Sequence, residues 1–377
     1  MKILCLSRAP LDYKGGIPAY CKNLYSNNNF LVDNLSYDIT GKLRKKTISK
    51  TANINEIIFP SEFIYGTFAF SIQYILQILK IKKNYKFIHL QHPDPISAIT
   101  VILAKLLHRK IKVVVTWHAD IYKNYLIFSP ILLIIDFFLF LISYKLIFFT
   151  PSHIKSSTIA KRFIFKNKIK IIPFCLNEKA YSKSLSKEKN HDFQHKKVPM
   201  IISIGRLVNY KGYEVALNAI SKLDENIIYN IIGSGPLRFK IQKIIKDLDL
   251  ENKVKLLGEI DDLKKEEYLS KADIFLFPSI NHSEAYGLVQ LEAMFFGLPI
   301  INTFLANGVN YLAPENVAIT CQPNNPEEIA IAIKKIISNK NLYKKLSIAS
   351  RKNLERFKFS KMIEMYSKLF KEDIKNK

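Results

Sequence analysis

The sequence predicts an α/β protein built from two doubly wound domains that face each other across a cleft. Short apolar runs rich in β-branched residues alternate with segments of helical length along the chain. Such fully apolar runs are typical of parallel strands that helices cover on both faces. A chain of 377 residues is also too long for one comfortable core, so two or three domains are expected.

Eleven apolar runs are predicted to be strands, and helical patterns fill most of the intervals between them. The runs are residues 1–7, 87–92, 112–118, 145–150, 168–173, 200–205, 227–232, 254–258, 273–278, 299–303 and 317–320. Residues 178–198 are polar, rich in Lys and Ser, and weakly periodic, which predicts a linker. We therefore expect one domain over 1–177 and a second over 199–355, with ligands bound beyond the carboxyl ends of their strands.

Residues 126–149 are apolar over the length of a membrane span. Pro130, Asp136 and Lys145 interrupt this stretch, and a charge near the middle of a lone span costs about 3 kcal/mol on insertion scales. The pattern therefore favours a helix over about 129–143 followed by a buried strand. Insertion into the bilayer and a helix lying on its surface remain as alternatives.

The charge balance indicates an anionic partner. The chain has 57 Lys and Arg against 32 Asp and Glu, a formal charge of +25. A membrane surface, a phosphorylated substrate or nucleic acid would fit this charge, and so would lysines spread over solvated faces. Only 8 of the 57 are Arg, the residue on which nucleic-acid readers depend for bidentate contacts. No nucleic-acid-binding motif is present, so nucleic acid is not expected as a partner.

The four cysteines and the N-terminal residues indicate the cytoplasm. Cys5, Cys21, Cys175 and Cys321 are scattered without CxxC spacing, so neither a disulfide framework nor a zinc site is expected. The first apolar run is too short to be a signal peptide.

Two motifs near the start of the second domain are candidates for phosphate binding. In ISIGRLVNYKG, residues 202–212, Arg206 directly follows a predicted strand and Lys211 lies at the entry to a helix. These cations could neutralise a diphosphate that a helix N-terminus also favours, although cations at this spacing are often ordinary surface residues. Gly233 and Gly235 follow the next strand, which by itself is a weak signal for close backbone approach to a ligand.

The segment SEAYGLVQLEAMFFG, residues 283–297, places two carboxylates around the predicted start of a helix. Glu284 lies in a polar loop, and Glu292 lies about one turn inside the helix among apolar neighbours. Surface glutamates on the solvent side of a helix are the ordinary interpretation. The alternative is that the two glutamates bind one ligand, which has polar groups on both sides of a phosphate that the helix start binds. A nucleotide sugar has this layout of ribose diol, diphosphate and hexose hydroxyls.

The ordered set of GRLVNYKG, GSGPL and two glutamates with seven residues between them resembles the retaining glycosyltransferases of the GT-B fold, family 4. The resemblance covers nearly the whole chain. SEAYGLVQLEAM and TWHADI look most like bacterial mannosyl- and rhamnosyltransferases that build O-antigen or other surface polysaccharide on a lipid carrier. The family resemblance implies two Rossmann-like domains and a last helix, within 356–377, that packs back on the first domain.

The resemblance implies roles for residues of the second domain. In that family the cations matching Arg206 and Lys211 grip the donor diphosphate, the glutamate matching Glu292 holds the ribose hydroxyls, and the one matching Glu284 contacts the transferred sugar. The usual Gly-Phe-Gly after the first glutamate reads Ala-Tyr-Gly here. The other implied donor-side positions, which act through the backbone, are Gly233, Gly235, Ile260, Gly287 and Leu288.

The first domain also carries motifs that resemble the family. YKGGIPAYCKNL looks like its glycine-rich loop, where Gly16 would approach the donor phosphate and Gly15 the acceptor. VVVTWHADI looks like the strand whose end bears a sugar-contacting histidine, here His118, with Asp120 near the acceptor and grouped with the catalytic residues. Without the resemblance, a histidine at the end of a buried strand is more often an ordinary buried residue than a functional one, and His118 would be interpreted in that way.

The resemblance implies a metal-independent hexosyltransferase without a cofactor. Its donor would be a nucleotide sugar, GDP-mannose-like in preference to a UDP-sugar, and its acceptor a lipid-linked saccharide at the anionic inner face of the plasma membrane. The protein would then be cytoplasmic and peripheral on that membrane. Two other classes remain open: a storage-sugar synthase or phosphorylase of the same fold, and a noncatalytic membrane-associated scaffold.

Overall fold

The structure, a computed structural model, describes most of the chain in two compact units. The described residues are 2–13, 16–26, 30–65, 68–79, 81, 85–118, 129–157, 159–161, 166–178, 181, 198–284 and 286–371. Unit 1 comprises Met1–Phe174 together with Met362–Lys377, and unit 2 comprises Cys175–Lys361. Most of the predicted linker at 178–198, like Gly15 and Asp120, lies outside the described residues.

Unit 1 is built on an eight-stranded sheet with the order β10-β9-β8-β7-β1-β2-β4-β3. All neighbours pair in parallel except β3, which is antiparallel to β4. A separate two-stranded hairpin joins β5 and β6. The strands are β1 (Lys2–Leu6), β2 (Leu31–Tyr37), β3 (Thr47–Lys50), β4 (Ile54–Phe59), β5 (Phe63–Tyr65), β6 (Phe68–Phe70), β7 (Phe87–His92), β8 (Lys112–Trp117), β9 (Ser143–Phe148) and β10 (Ile169–Ile171).

Helices cover both faces of this sheet. They are α1 (Gly16–Ser26), α2 (Ile72–Leu79), α3 (Pro95–Leu107), α4 (Ser129–Ile142), α5 (Pro151–Ser156) and the C-terminal helix α13 (Phe359–Lys371). The connections through α2, α3 and α4 step in one direction along the sheet, whereas α1 steps in the other. Because such crossovers are right-handed, α2, α3 and α4 lie on one face and α1 on the opposite face. Tyr366 of α13 contacts Tyr20 of α1, which places α13 beside α1.

Unit 2 has a six-stranded, fully parallel sheet with the order β13-β12-β11-β14-β15-β16. Its strands are β11 (Met200–Ile204), β12 (Ile228–Ile232), β13 (Val254–Gly258), β14 (Ile274–Phe277), β15 (Ile300–Thr303) and β16 (Ala318–Cys321). Its helices are α6 (Tyr213–Ser221), α7 (Arg238–Asp247), α8 (Asp262–Lys271), α9 (Val289–Phe295), α10 (Gly308–Leu312), α11 (Pro326–Ser338) and α12 (Lys340–Leu354). The strand order reverses between β11 and β14, and ligands of such sheets bind where the order reverses, beyond the carboxyl ends of the strands.

All eleven predicted strands are present, with ends that differ by at most a few residues. The predicted helix and buried strand in 126–149 are α4 and β9. Among the helices that the structure describes, none combines the length and the apolar character needed to cross a bilayer. The prediction missed β2 to β6 between 31 and 70, and with them the antiparallel edge strand β3.

Candidate functional site

The loops that follow β11 and β14 meet at the point in unit 2 where the strand order reverses. Residues 205–212 link β11 to α6, and residues 278–288 link β14 to α9. The amide of Ile280 in the second loop donates to the carbonyl of Tyr210 in the first, at 2.8 Å. The two segments that carry Arg206, Lys211 and Glu284 therefore lie side by side.

Lys211 and Glu284 form an ion pair between these two loops. The ammonium Nζ of Lys211 is 2.5 Å from Oε2 of Glu284, and both side chains are largely buried, with exposed fractions of 13% and 10%. The same ammonium lies 5.1 Å from the centre of the Phe277 ring, within cation–π distance. An ammonium has three N–H donors, so Lys211 can contact a ligand phosphate while it still binds Glu284.

Neighbouring side chains hold the Glu284 loop in place. Ser279 Oγ donates to Oε2 of Glu284 at 3.3 Å, and Asn307 Nδ2 donates to its backbone carbonyl at 2.5 Å. Arg206 is exposed at the end of β11. The pKa of Tyr210 is raised by burial and by the Glu284 carboxylate, and the nearby Arg206 opposes this shift. Arg206, Lys211 and Glu284 are thus brought together as one charged cluster.

Gly233 and Gly235 are required by packing of one loop on another. A Cβ atom on Gly233 would lie 2.0 Å from the carbonyl oxygen of Gly205, and one on Gly235 would lie 2.5 Å from the carbonyl oxygen of Leu207. Neither contact leaves room for a side chain. These contacts explain both glycines without a ligand, so their predicted donor role stays a prediction.

Gly287 and Leu288 lie in the turn that leads into α9. Gly287 has a φ of 75°, a conformation that favours glycine. The amides of Gln290 and Leu291 donate to the carbonyls of Gly287 and Leu288 and so tighten this turn. Within the described part of the chain, the amides of Gly287 and Leu288 have no backbone acceptor. They are donors next to Glu284, as the predicted contact with phosphate or sugar requires.

Glu292 has a protein partner that the sequence did not indicate. Lys265 in α8 places its Nζ 3.0 Å from Oε2 of Glu292, and the two side chains are 19% and 15% exposed. The same ammonium is 3.0 Å from Asp262, whose side chain is almost fully exposed. From the sequence, a ligand is expected to supply the polar group that Glu292 needs. The structure shows that Lys265 supplies one already.

The pKa values of this pair follow from burial and from its neighbours. Burial raises the pKa of Glu292, while Lys265 and a hydrogen bond from Tyr181 oppose the rise. Burial alone would lower the pKa of Lys265, but the Glu292 and Asp262 carboxylates outweigh it and raise that pKa. Burial and Glu292 also raise the pKa of Tyr181, so its hydroxyl stays protonated and donates. Glu292 therefore receives donors from two elements outside its own helix.

Sequence reasoning missed Lys265, Tyr181 and Asn307. Lys265 lies in DDLKKEEYLSK, a charged helix in which no local signal separates it from Lys264. Tyr181 lies in the polar stretch taken as a linker, and its ring contacts Phe295 at 5.1 Å between centroids. Ile260, the predicted position near the nucleobase, is half-buried in the short loop between β13 and α8.

In unit 1, His118 lies directly after β8 in a half-buried position. Its Nε2 is 2.9 Å from Oε1 of Gln91, whose amide nitrogen is turned toward Cys5 Sγ. The glutamine oxygen therefore accepts, and His118 carries its proton on Nε2. Burial and nearby histidines lower the pKa of His118 well below its usual range, so the ring is neutral and Nδ1 is left as an acceptor.

Gly16 and His118 both lie on the side of the unit 1 sheet where the carboxyl ends of β1 and β8 are found. Gly16 is the first residue of α1, and Tyr20 of that helix contacts the His118 ring edge to face at 5.2 Å between centroids. A Cβ on Gly16 would meet nothing within 4 Å, so packing among the described residues does not require glycine here. Among the described residues, no group of three or more His, Cys, Asp and Glu side chains could hold a metal ion.

Comparison with known proteins supports the family resemblance for the second half of the chain. Residues 185–353 match the family model described as glycosyl transferases group 1. This range includes the charged cluster of Arg206, Lys211 and Glu284, and also Glu292. It covers less than half of the chain, and most of unit 1 lies outside it.

Two bacterial sugar transferases are similar to this chain over half of its length or more. The D-rhamnosyltransferase WbpZ of Pseudomonas aeruginosa is 26% identical over 199 residues, which are 53% of this chain and 51% of that protein. The O-antigen chain mannosyltransferase C of Escherichia coli is 24% identical over 314 residues, which are 80% of this chain and 79% of that protein. The match thus spans about half the length of the first relative and most of the second.

The solved structure of Anabaena Alr3699/HepE in complex with UDP superposes on the whole chain. The TM-score is 0.78 at 16% identity, and the match covers 99% of this chain and 100% of the other. At 16% identity, the structural similarity is evidence for the fold alone. It confirms the predicted fold class, GT-B with two Rossmann-like α/β domains.

Proposed function

We propose that this protein is a retaining glycosyltransferase. It moves a hexose from a nucleotide sugar to a lipid-linked saccharide acceptor in surface polysaccharide or O-antigen biosynthesis, without a metal ion. The donor is a GDP-mannose-like sugar, with a UDP-sugar as the alternative. The match of residues 185–353 to glycosyl transferases group 1 supports the transferase class.

The observation that carries the proposal is the charged cluster at the carboxyl ends of β11 and β14. Two cations, Arg206 and Lys211, stand beside the buried Glu284 carboxylate at the point where nucleotide-binding sheets take their ligand. Among the described residues, the amides of Gly287 and Leu288 in the Glu284 loop have no backbone acceptor. A group with two phosphates next to a polyol matches this set of donors and acceptors.

In the proposed reaction the two cations stabilise the charge that develops on the departing diphosphate. Preorganised donors of this kind contribute about 3 kcal/mol each to transition-state stabilisation. Lys211 also orients Glu284 toward the hexose, so this carboxylate positions the sugar and stabilises its developing positive charge. The acceptor attacks from the face that the diphosphate leaves, and a phosphate oxygen takes the acceptor proton, which gives retention.

Glu292 holds the ribose hydroxyls in this proposal. Lys265 contacts Oε2 of Glu292 and Tyr181 donates to the same carboxylate, whose two oxygens have about four acceptor positions and so retain some for a diol. In unit 1 the proposal keeps the roles that the family resemblance implies: the neutral His118 accepts a sugar hydroxyl through Nδ1 and Gly16 approaches the donor phosphate. Gly15 and Asp120, the positions implied for the acceptor, are outside the described residues. The choice of a GDP-linked hexose and of a lipid-linked acceptor rests on the family resemblance, and the names of a D-rhamnosyltransferase and an O-antigen chain mannosyltransferase among the relatives agree with its sugar class.

The proposal is tested with Lys211→Ala and Glu292→Ala. Each variant should lose more than about tenfold in kcat/KM for the donor, because each removes a contact to the diphosphate or ribose. The matched control is Lys271→Ala, which breaks an exposed ion pair in the same unit. All three should keep the circular dichroism spectrum of the wild type. Near-normal transfer by both site variants would refute the assignment.

A thermal-shift screen with GDP, UDP and ADP identifies the nucleotide. A ligand at one hundred times its dissociation constant should add about 2.7 kcal/mol to the stability of the folded state. A shift with GDP alone supports the mannose-type donor, and a shift with UDP alone supports the alternative. The absence of any shift, together with the absence of transfer, would favour a noncatalytic scaffold.

A further inference from the structure

Three neighbouring helices of unit 1 present large apolar side chains to solvent. Their exposed fractions run from 38% for Phe137 to 64% for Leu106. The residues are Ile72 and Leu76 on α2; Ile99, Leu103, Leu106 and Leu107 on α3; and Ile131, Ile134, Phe137, Phe138 and Leu141 on α4. Single exposed apolar residues are ordinary, but a contiguous group of this size marks an interaction surface.

The spacing of these residues shows that they form one surface. Ile131, Ile134, Phe138 and Leu141 recur at three- and four-residue steps, so they lie along one side of α4. Since α3 packs between α2 and α4 on one face of the sheet, the outer sides of the three helices adjoin. We call this outer surface of α2, α3 and α4 the docking face.

The three helices of the docking face carry no exposed acid, and the exposed acid beside them is Glu62, whose Oε2 accepts from the amide of Ile72 at the start of α2. Asp136 is the single acidic residue in the three helices, and it is 2% exposed. Its carboxylate points inward, 3.3 Å from Nε2 of His92, whose ring stacks on Trp117. The one acid on α4 is therefore used to join the helix to the sheet beneath it.

Basic segments border the docking face at one end. Among the described residues, Lys86, Arg109 and Lys110 directly precede β7 and β8, and Lys112 is the first residue of β8, with no acid among their described neighbours in 81–86 and 108–112. Lys168 donates to the carbonyl of Leu141 at the last turn of α4, at 2.9 Å. Arg109 and Lys110 are exposed. Cations thus lie along the edge where the three helices end.

We propose that the docking face lies on an anionic phospholipid bilayer, with its apolar side chains among the acyl chains and its basic border at the headgroups. This surface combines apolar helix faces that carry no exposed acid with a basic border at one end, which is the pattern of interfacial membrane binding. A second copy of the chain would bring like charges together and offers no exposed acid on this face to neutralise them. The inference rests on the proposed function, since a lipid-linked acceptor is reached from a membrane surface.

The test is flotation with vesicles of phosphatidylglycerol and phosphatidylcholine at low salt. Wild-type protein should float with these vesicles, and much less with pure phosphatidylcholine. Ile134→Glu and Phe138→Glu should each reduce the bound fraction about tenfold, because a carboxylate is both costly among acyl chains and repelled by anionic lipid. Arg109→Glu combined with Lys110→Glu should weaken binding and reduce its salt dependence.

Matched controls come from exposed apolar residues of unit 2. Phe239 and Ile348 are 83% and 66% exposed, so Phe239→Glu and Ile348→Glu make the same chemical change away from the docking face. Both controls should float like the wild type. If Phe138→Glu fails to fold by circular dichroism, Leu106→Glu tests the same surface from α3, where the residue is 64% exposed.

The outcomes separate this inference from the proposed function. Loss of flotation with an unchanged nucleotide thermal shift supports the docking face. Wild-type protein that ignores anionic vesicles, or equal losses in the controls, overturns it even if sugar transfer is intact. A wild-type dimer that Ile134→Glu dissociates, without vesicle binding, also overturns it and assigns the surface to a second copy. Vesicle binding without any nucleotide shift or transfer would instead leave the surface standing and remove the glycosyltransferase proposal.

Discussion

Lys265→Met tests whether the lysine keeps the buried Glu292 carboxylate charged. Methionine retains an unbranched apolar side chain but removes the ammonium that lies 3.0 Å from Glu292. At this distance and an effective dielectric constant of about 20, the attraction is about 5 kcal/mol before desolvation is subtracted. Since both side chains are 15–19% exposed, we expect a loss of about 2–3 kcal/mol, less than for a fully buried pair.

This loss should depend on pH in a defined direction. Burial raises the pKa of Glu292 above its value in the unfolded chain, so the folded state keeps its proton to higher pH. The stability contribution of such a group is greatest below the unfolded-state pKa and falls as pH rises through the folded-state pKa. Removing Lys265 raises the folded-state pKa further. The destabilisation should therefore be small below the pKa of Glu292 in the folded protein and grow as the pH rises through it.

Urea denaturation at several pH values measures this effect. The double variant Lys265→Met/Glu292→Gln, which has no buried charge to neutralise, should recover most of the stability at the higher pH. The control Lys271→Met breaks an exposed ion pair with Glu267 and should cost less than about 0.5 kcal/mol at every pH. Equal destabilisation at low and high pH, or a double variant no more stable than Lys265→Met, would refute the reasoning.

The same variant links the pair to donor binding. If Glu292 holds the ribose as a carboxylate, its protonation weakens the contact. The KM of Lys265→Met for the donor should therefore rise as pH falls, with a smaller change in kcat. A KM that follows the wild-type pH profile would assign Lys265 to stability alone.

Three further changes test other parts of the structure. Gly212→Ala should lower the free energy of unfolding by about 3 kcal/mol in urea denaturation. Gly212 has a φ of 69°, and a Cβ there would lie 1.9 Å from the carbonyl oxygen of Pro278. A change below about 1 kcal/mol would contradict this. Gly16→Ala should leave stability unchanged or raised but lower kcat/KM for the donor, whereas normal transfer would remove Gly16 from the donor site. Tyr366→Phe should cost about 1–3 kcal/mol, because the buried hydroxyl lies 3.0 Å from Thr116 Oγ1; an unchanged midpoint would show that this bond contributes nothing.

The missed strand β2 differs from predicted strands such as β8 and β14 in one physical respect. Predicted strands such as β8 and β14 are continuous apolar runs because both faces of their sheets are covered. β2 reads LVDNLSY, yet Asp33 and Asn34 are buried. Asp33 pairs with Lys2 at 2.7 Å, and Asn34 donates to Glu56 of β4 at 3.2 Å. Polar residues that satisfy each other across a sheet look like surface residues in the sequence.

The alternation of strands and helices and the order of the motifs can be read from the amino-acid sequence alone. The sequence also indicated that Glu284 and Glu292 bracket the start of a helix. These properties depend on local patterns of apolar, glycine and charged residues, which are visible within a few positions. The predicted roles of Gly233 and Gly235 depended on the same local patterns, and there the structure shows that contact between two loops is reason enough for glycine.

Which charged side chains meet depends on the tertiary fold. Lys211 and Glu284 are far apart in the chain but form an ion pair because β11 and β14 are neighbours in the sheet. Lys265 reaches Glu292 from another helix, and the apolar side chains of α2, α3 and α4 become one surface because the crossovers place these helices side by side. Pairing across a sheet and packing of helices join residues that no local pattern relates, so these contacts had to be observed.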